Sequence, residues 1–492
     1  MHEIDSEGGC YLVFSSTPKS IIPIPNSRMI KKSKCTNAIR EEHRKKGKKV
    51  YAVLSEDLTL LTFYYDTLMD ERGGLSVGPF GYDDIRWDGH AAEIQIVIFD
   101  DSFSQYVLLE STAHWFDGCS HLKEIMGIEN LKTSAVKDMS HMFQSCPSLE
   151  TIDISGFETQ NVENYACMFD GCSKLTELNV GKFNTKRAKA MVGMFSRCSA
   201  IKSLDMSGFN TENVDNMSSM FYECCSLNNI DVSKFNTKKV WNMSEMFAGC
   251  KSLTELNVNN FDTGNVKDMA FMFCDCSSLE AIDVSNFITR NVKDMEGMFK
   301  SCSSLKTLDV SMFDTRKVEN FSSMFESCTS LTKLELCGLS AEVNASLCTT
   351  LYDEGFHTDN AFNMHAMFRN CKNLRSLNLC DFNTSEVVYM SDMFERCSSI
   401  ETIDLSSFTT NDGQDMDGMF SGCTNLKTIY VNPSWKTPIP DDWESGMFKG
   451  CINLKGGNGT AYNHSENDYL FACIDRVDNP GYFTEKDISS EE

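Results

Sequence analysis

From Trp115 to Cys451 the apolar residues recur with a nearly fixed spacing. One period, Thr211 to Phe235, carries Val214, Met217, Met220, Phe221 and Cys224 at i, i+3, i+6, i+7 and i+10. That spacing predicts one face of a helix about three turns long. Thr211 or Asn213 is placed to cap its start. Leu227 follows, and then Ile230 and Val232 alternate around Asp231, which predicts a short strand with one buried face. Ser233 turns the chain and Phe235 points back inside before the next period opens at Thr237.

The period is fixed by its cysteine. A Met-Phe-x-x-Cys pattern, with Trp115-Phe116 as a variant opening, ends at Cys119, Cys146, Cys172, Cys198, Cys224, Cys250, Cys276, Cys302, Cys328, Cys371, Cys397, Cys423 and Cys451. Most intervals are 26 residues; the exceptions are 27 at the start, 43 after Cys328 and 28 at the end. A single unit cannot bury both its helix stripe and its strand face, but stacked units can. The expectation is an α/β solenoid, a leucine-rich-repeat-like stack of about 13 right-handed helix-turn-strand units whose strands form one long parallel sheet. A parallel β-helix competes, and the helical spacing speaks against it.

The ends and the long interval break the pattern. Residues 1–49 read as a basic flexible leader, because RMIKKSKCTNAIREEHRKKGKK (28–49) holds ten Lys or Arg against two Glu. A polyanion patch or a targeting signal is the functional reading of that run. Residues 50–110 read as a β-rich cap for the solenoid's open edge, with a hairpin in YAVLSEDLTLLTFYYD and a buried strand at Ile94–Phe99. The solenoid then spans 111–455, and 456–492 form a second cap and an acidic tail. The 43-residue interval is one period plus a loop, placed near 340–360, carrying Tyr352, Asp353, Glu354, Phe356 and His357 as candidate contact residues. The start, MHEIDSEGGCYLVF, lacks the basic, apolar and small segments of a secretory signal, so the cytoplasm stays open as a location.

Composition narrows the function. The chain has 492 residues, 41% of them hydrophobic, and a net charge of −25. That charge argues against nucleic acid as a partner, and no apolar run of 18 residues offers a membrane span. Of the 22 cysteines, those in register sit one strand spacing apart with parallel Cβ vectors, the wrong geometry for a disulfide. They read as small buried hydrophobes. Off-register pairs such as Cys10–Cys35 or Cys337–Cys348 are better placed to bridge. Neither Cys224-Cys225 nor Cys274-Asp-Cys276 has a second ligand pair at metal spacing, so no metal site and no cofactor is expected. His114, His121 and His141 fall in different periods, no nucleophile motif recurs, and no enzyme is expected.

One polar column stands out. The position between the strand's two apolar residues reads Asp153, Asn179, Asp205, Asp231, Asn257, Asp283, Asp309, Glu335, Asn378 and Asp404. The two-residue strand period aims these side chains away from the core. Asp153, Asp205, Asp231, Asp283, Asp309 and Asp404 are therefore candidate contacts for basic protein segments or cations. The competing reading is a solvated face whose side chains pair locally. Thr185, Thr211 and their equivalents read as turn and cap residues.

The segments FNTENVDNMSSMFYECCSL, FDTGNVKDMAFMFCDCSSLEAIDVSNF and FDTRKVENFSSMFESCTSL resemble the repeat of BspA-like leucine-rich-repeat surface proteins. The flanks YAVLSEDLTLLTFYYD, RGGLSVGPF and GGNGTAYN resemble those of bacterial members. The resemblance implies a bacterial solenoid on the cell surface or secreted, some of whose relatives are adhesins for host or neighbouring-cell proteins. The function expected is non-catalytic protein recognition, with an intracellular interaction scaffold as the alternative. The partners expected are proteins; the oligomeric state is left open.

Overall fold

A computed structural model of the chain describes residues 47–78, 87–337, 356–411, 413–437, 446–463 and 468–486. The chain divides into Met1–Lys48 and Lys49–Glu492, and the second unit carries the repeats. The basic run 28–46 lies outside the described residues, as do Tyr352, Asp353 and Glu354.

The coils stack in register, but no α-helix occurs among the described residues. The segment expected to be helical is a chain of tight turns. In the Thr211 coil the N–H groups of Val214, Met220, Cys224 and Leu227 reach the carbonyls three residues back. Between them, the N–H groups of Met217, Ser219, Phe221 and Glu223 reach Asn242, Ser244, Met246 and Ala248 in the next coil. Alternate backbone donors thus bond within and between coils. A helix would send all of them inward to i−4. The geometry requires a left-handed backbone twice per coil, at Ser219 (φ 55) and Glu223 (φ 52). A positive φ at the third position of an i→i−3 turn is the signature of a type II turn, and an α-helix does not admit it. Glycine stands at the second of these positions in several coils. At Gly249 (φ +76) an added Cβ would meet the Glu223 Cα at 3.0 Å, so both the dihedral and the close approach favour glycine.

The strand side is more broken than a single long sheet. Regular parallel pairing joins β6 (Ser203–Leu204) to β7 (Asn229–Ile230) and β8 (Thr307–Asp309) to β9 (Lys333–Glu335). It also joins β10 (Thr402–Leu405), β11 (Thr428–Val431) and β12 (Phe483–Glu485). The continuous inter-coil ladder lies instead beside the turn segment, where single parallel bridges run from Ser111–Asp138 through to Tyr389–Asp415.

The apolar register itself is as the spacing requires. Val214, Met217, Met220, Phe221, Cys224 and Leu227 are all fully buried. Three of the core's columns make recurring contacts from coil to coil. Phenylalanine rings stack coil on coil, as in Phe221–Phe247 (5.5 Å) and Phe247–Phe273 (6.0 Å), a separation at which aromatic pairs attract. Each repeat cysteine after the first aims Sγ at a phenylalanine carbonyl of the preceding coil, for example Cys224 to Phe195 at 3.1 Å and Cys250 to Phe221 at 3.2 Å. The threonine column does not cap helices. Thr185 Oγ1 donates to the Asn210 carbonyl (2.9 Å) and accepts from the Asn210 N–H (2.7 Å), so one buried hydroxyl satisfies two backbone groups of the next coil.

At the N-terminal end β1 (Lys49–Leu54) and β2 (Leu60–Asp66) form an antiparallel hairpin. β3 (Leu75–Ser76) joins its outer edge. On the other side β2 pairs with β4 (Ile96–Phe99), and β4 with β5 (Glu124–Met126), the strand of the first coil. Phe63, Phe99 and Trp115 stack and lead into the phenylalanine column at Phe116. At the other end Tyr482 and Phe483 pack edge-on against Phe448, the last ring of the column.

Candidate functional site: three exposed surfaces

Because the coils are in register, residues one period apart form columns, and each surface is built from them. The acidic column lies on the strand side. Asp153, Asp205, Asp231, Asp283 and Asp309 are exposed, and Asp404 is half-buried. Each also anchors its own turn. Asp205 Oδ1 accepts the Ser207 N–H at 2.9 Å, and Asp231 Oδ1 accepts the Ser233 N–H at 2.9 Å. Hydrogen bonds from the serine hydroxyl and N–H two residues on hold Asp153, Asp205, Asp231 and Asp283 below the usual carboxylate range. Burial pushes Asp404 up, but Lys486 and Ser406 outweigh it and its carboxyl is lowered. Lys486 Nζ sits 2.8 Å from Asp404 Oδ2. These six residues share one face, and only two pairs, Asp205 with Asp231 and Asp283 with Asp309, lie in adjacent coils.

Of the candidate contact residues near the insertion, Phe356 and His357 lie among the described residues. The regular coil resumes at Phe356, not near residue 360, so the extra residues fall within 338–355. Phe356 is fully buried and stacks on Phe382 at 5.7 Å. It is a core ring and not a contact residue: the interval of 43 places it one column position after Phe313. His357 beside it is half-buried, and its carbonyl accepts from Thr315 Oγ1 at 2.5 Å. At the other end of the insertion Cys337 Sγ lies 3.9 Å from Cys380 Sγ, the equivalent residue one coil on. No disulfide joins any described cysteine, and Cys10, Cys35 and Cys348 lie outside the described residues.

A third surface escaped the sequence reading. The backbone ladder runs Asp215, Trp241, Lys267, Lys293, Glu319, Phe362, Val388 through successive N–H···O bonds from Trp241 onward. Trp241 and Phe362 are each 44% exposed, Val388 42% and the adjoining Tyr389 47%. Lys293 and Glu319 pair at 2.9 Å within the column. Lys293, Lys317, Glu319, Asn360, Phe362 and Glu386 line a groove of about 500 Å³. Each apolar residue alone is an ordinary surface residue. Only the 26-residue arithmetic puts them in one line.

The same arithmetic brings together two histidines read as scattered. His114 and His141 are 27 residues apart, the interval of Cys119 and Cys146. Their rings stack at 4.4 Å with planes 7° apart. His121 is not with them; its Nδ1 faces the Ala92 carbonyl.

Comparison with known proteins places the repeats. The profile of a family described as "Mycoplasma protein of unknown function, DUF285" matches residues 110–230, 253–336 and 340–459. No curated protein matches the chain. Among solved structures, a leucine-rich repeat protein from Bacteroides ovatus is 15% identical, with 78% of this chain and 94% of that one covered and a TM-score of 0.41. A leucine-rich cell surface protein from Faecalibacterium prausnitzii is 16% identical over 79% of this chain and 94% of its own, with a TM-score of 0.34. A leucine-rich repeat protein from Eubacterium ventriosum is 14% identical over 79% of this chain and 95% of its own, with a TM-score of 0.32. With the family profile matched over more than half its length, the chain belongs to the DUF285 family, the BspA-like leucine-rich-repeat proteins.

Proposed function

We propose that this chain is a non-catalytic protein-recognition solenoid, displayed on a bacterial surface or secreted, that binds host or neighbouring-cell proteins. The observation that carries this reading is the exposed column of Trp241, Phe362 and Val388, with Tyr389 alongside and lysines and glutamates between. Aromatic anchors beside charged groups are the make-up of protein-binding hot spots; Phe362, Val388 and Tyr389 form the contiguous part, and Trp241 stands four coils away in the same column beyond Lys267, Lys293 and Glu319. The acidic column Asp153, Asp205, Asp231, Asp283, Asp309 and Asp404 offers a second contact, for basic segments. One oxygen of each holds the local turn, and the carboxylate charge still faces the partner. The insertion, with Tyr352, Asp353, Glu354 and His357, offers a third.

The test is an array of host-matrix and bacterial-surface proteins probed with the full chain. Three variants accompany it: Trp241→Ser with Phe362→Ser and Tyr389→Ser; Asp205, Asp231, Asp283 and Asp309→Asn; and a chain lacking 340–354. Saturable binding lost in the aromatic variant supports the reading. No saturable partner for the folded wild-type chain would overturn it.

A second reading, an intracellular scaffold, is favoured by one observation: Cys225, Cys274 and Cys473 are thiols that water reaches, a state that a reducing compartment maintains. Protease shaving of intact source cells separates the two. Solenoid peptides released from intact cells support display outside, and peptides seen only after lysis support the scaffold.

A further inference from the structure

The first three coils carry an unusual set of side chains at two column positions. Five residues before the repeat cysteine stand His114, His141 and Cys167, where the next coil has Gly193. Two residues before it stand Asp117, Gln144 and Asp170. His114 Nδ1 lies 2.9 Å from Asp117 Oδ2, and His141 Nδ1 bonds Gln144 Oε1.

These contacts form an ordered chain. Arg197 grips the buried Asp170 through two nitrogens, Nε at 3.0 Å and Nη2 at 2.8 Å. Asp170 Oδ2 accepts from Gln144 Nε2 at 3.1 Å. A carboxylate accepts only, so Gln144 must turn its amide NH2 toward Asp170 and its carbonyl oxygen toward His141. That oxygen in turn requires a proton on His141 Nδ1, which leaves the Nε2 lone pair as the ring's donor to a cation. Orientation of an imidazole by a hydrogen bond to its other nitrogen is the usual support of a metal-binding histidine. Glutamine in the middle of the chain has a purpose on this account, since it is a side chain able both to donate to Asp170 and to accept from His141.

We propose that His114 and His141 hold, through Nε2, one divalent transition-metal ion of the zinc class that clamps the first two coils together, while Asp117 and Gln144 steady the two rings from Nδ1. A ring nitrogen of each histidine and a carboxylate oxygen of Asp117 lie within 4.8 Å of one another. A tetrahedral ion with bonds of about 2.1 Å needs its ligand atoms about 3.4 Å apart. The ring centroids lie 4.4 Å apart with planes 7° from parallel, so the rings must turn out of parallel for both Nε2 lone pairs to meet one ion. Imidazole ligands suit zinc, nickel and cobalt ions. The side chain of His114 is 14% exposed and His141 is half-buried, so water reaches the ion's remaining positions.

The experiment uses the full chain, reduced with a phosphine, stripped with a chelator and desalted, then titrated with Co²⁺ and separately with Zn²⁺ by equilibrium dialysis. The variants are His114→Asn and His141→Asn. Both positions have a left-handed backbone, φ 59 and φ 56, and asparagine tolerates that conformation better than other side chains, so the fold is kept. Expected are one tight equivalent of metal, a Co²⁺ spectrum without thiolate charge-transfer bands, and affinity lowered at least about 100-fold in each variant. The melting temperature of the metal-free chain should be unchanged by the substitutions, while Zn²⁺ raises it in the wild type alone. Equal stoichiometry and affinity in the His→Asn variants would overturn the assignment. So would the absence of binding, or a thiolate spectrum that disappears on Cys337→Ser with Cys380→Ser, which would move the ion to the Cys337, Cys380 and Asp381 cluster.

Discussion

The buried thiol column makes the fold sensitive to alkali. Burial pushes the thiols of Cys172, Cys371 and Cys423 up to about 12, against about 8.5 for an exposed cysteine. Above pH 8.5 the unfolded chain therefore sheds these protons while the folded chain keeps them. Stability depends on pH through the difference in bound protons, unfolded minus folded, which is here negative. Stability is full below pH 8.5 and falls as pH rises toward 12. Each thiol contributes a slope of about −1.4 kcal/mol per pH unit, so the three together cost about 4 kcal/mol per unit. Burial raises Cys198, Cys250, Cys302 and Cys328 as well, which steepens the slope. Against a total of about 5–15 kcal/mol for a folded domain, unfolding at room temperature is expected between pH 10 and 11. Tyrosines such as Tyr165 also ionise late when buried, but an exposed tyrosine holds its proton to about pH 10. The window from 8.5 to 10 thus isolates the thiols. The assay is thermal melting by circular dichroism at pH 7, 8, 9 and 10 under a phosphine reductant. The variant Cys371→Ala should lower the slope by about 1.4 kcal/mol per unit. A melting temperature flat from pH 8 to 10 would refute the argument.

Four other outcomes are expected. Thr185→Val keeps volume but strands the Asn210 N–H and carbonyl; a loss of about 2 kcal/mol should appear as faster hydrogen exchange at Asn210, and an unchanged rate would count against the threonine column. Gly249→Ala, with φ +76 and a Cβ 3.0 Å from Glu223 Cα, should cost about 1–3 kcal/mol in urea unfolding, whereas Gly89→Ala, with nothing within 4 Å, should change stability by less than about 0.5 kcal/mol. Iodoacetamide at pH 8 should label the exposed Cys380 and leave the buried Cys172, Cys371 and Cys423 untouched, as read by peptide mass spectrometry. Mild oxidation with a diamide should leave Cys337 and Cys380 unjoined, because sulfurs 3.9 Å apart must close to about 2.05 Å from in-register positions with parallel Cβ vectors; loss of both thiols to alkylation after the oxidant would show that the coils yield.

What the sequence discloses depends on whether a property belongs to one residue or to a column. Burial belongs to single residues, so the positions of Val214, Met217, Met220, Phe221, Cys224 and Leu227 are legible directly. Their conformation is not, because spacings of three and four serve a helix and a run of i→i−3 turns alike. The deciding signal is present but faint. Gly118, Gly171, Gly249, Gly422 and Gly450 all stand immediately before the repeat cysteine, and all have positive φ. A helix interior does not favour glycine there, whereas a type II turn calls for it. The polar columns are legible only when intervals are converted into positions. Asp205 and Asp231 show as a pair because they flank the strand apolar residues. His114 and His141 do not, since an interval of 27 looks like scatter until it is set beside Cys119 and Cys146. Trp241, Phe362 and Val388 are harder still, because the insertion within 338–355 shifts the count by 17 residues between the first and the second. In a stacked repeat the core is therefore written in each period. The surface is written across periods, and a single displaced interval is enough to hide it.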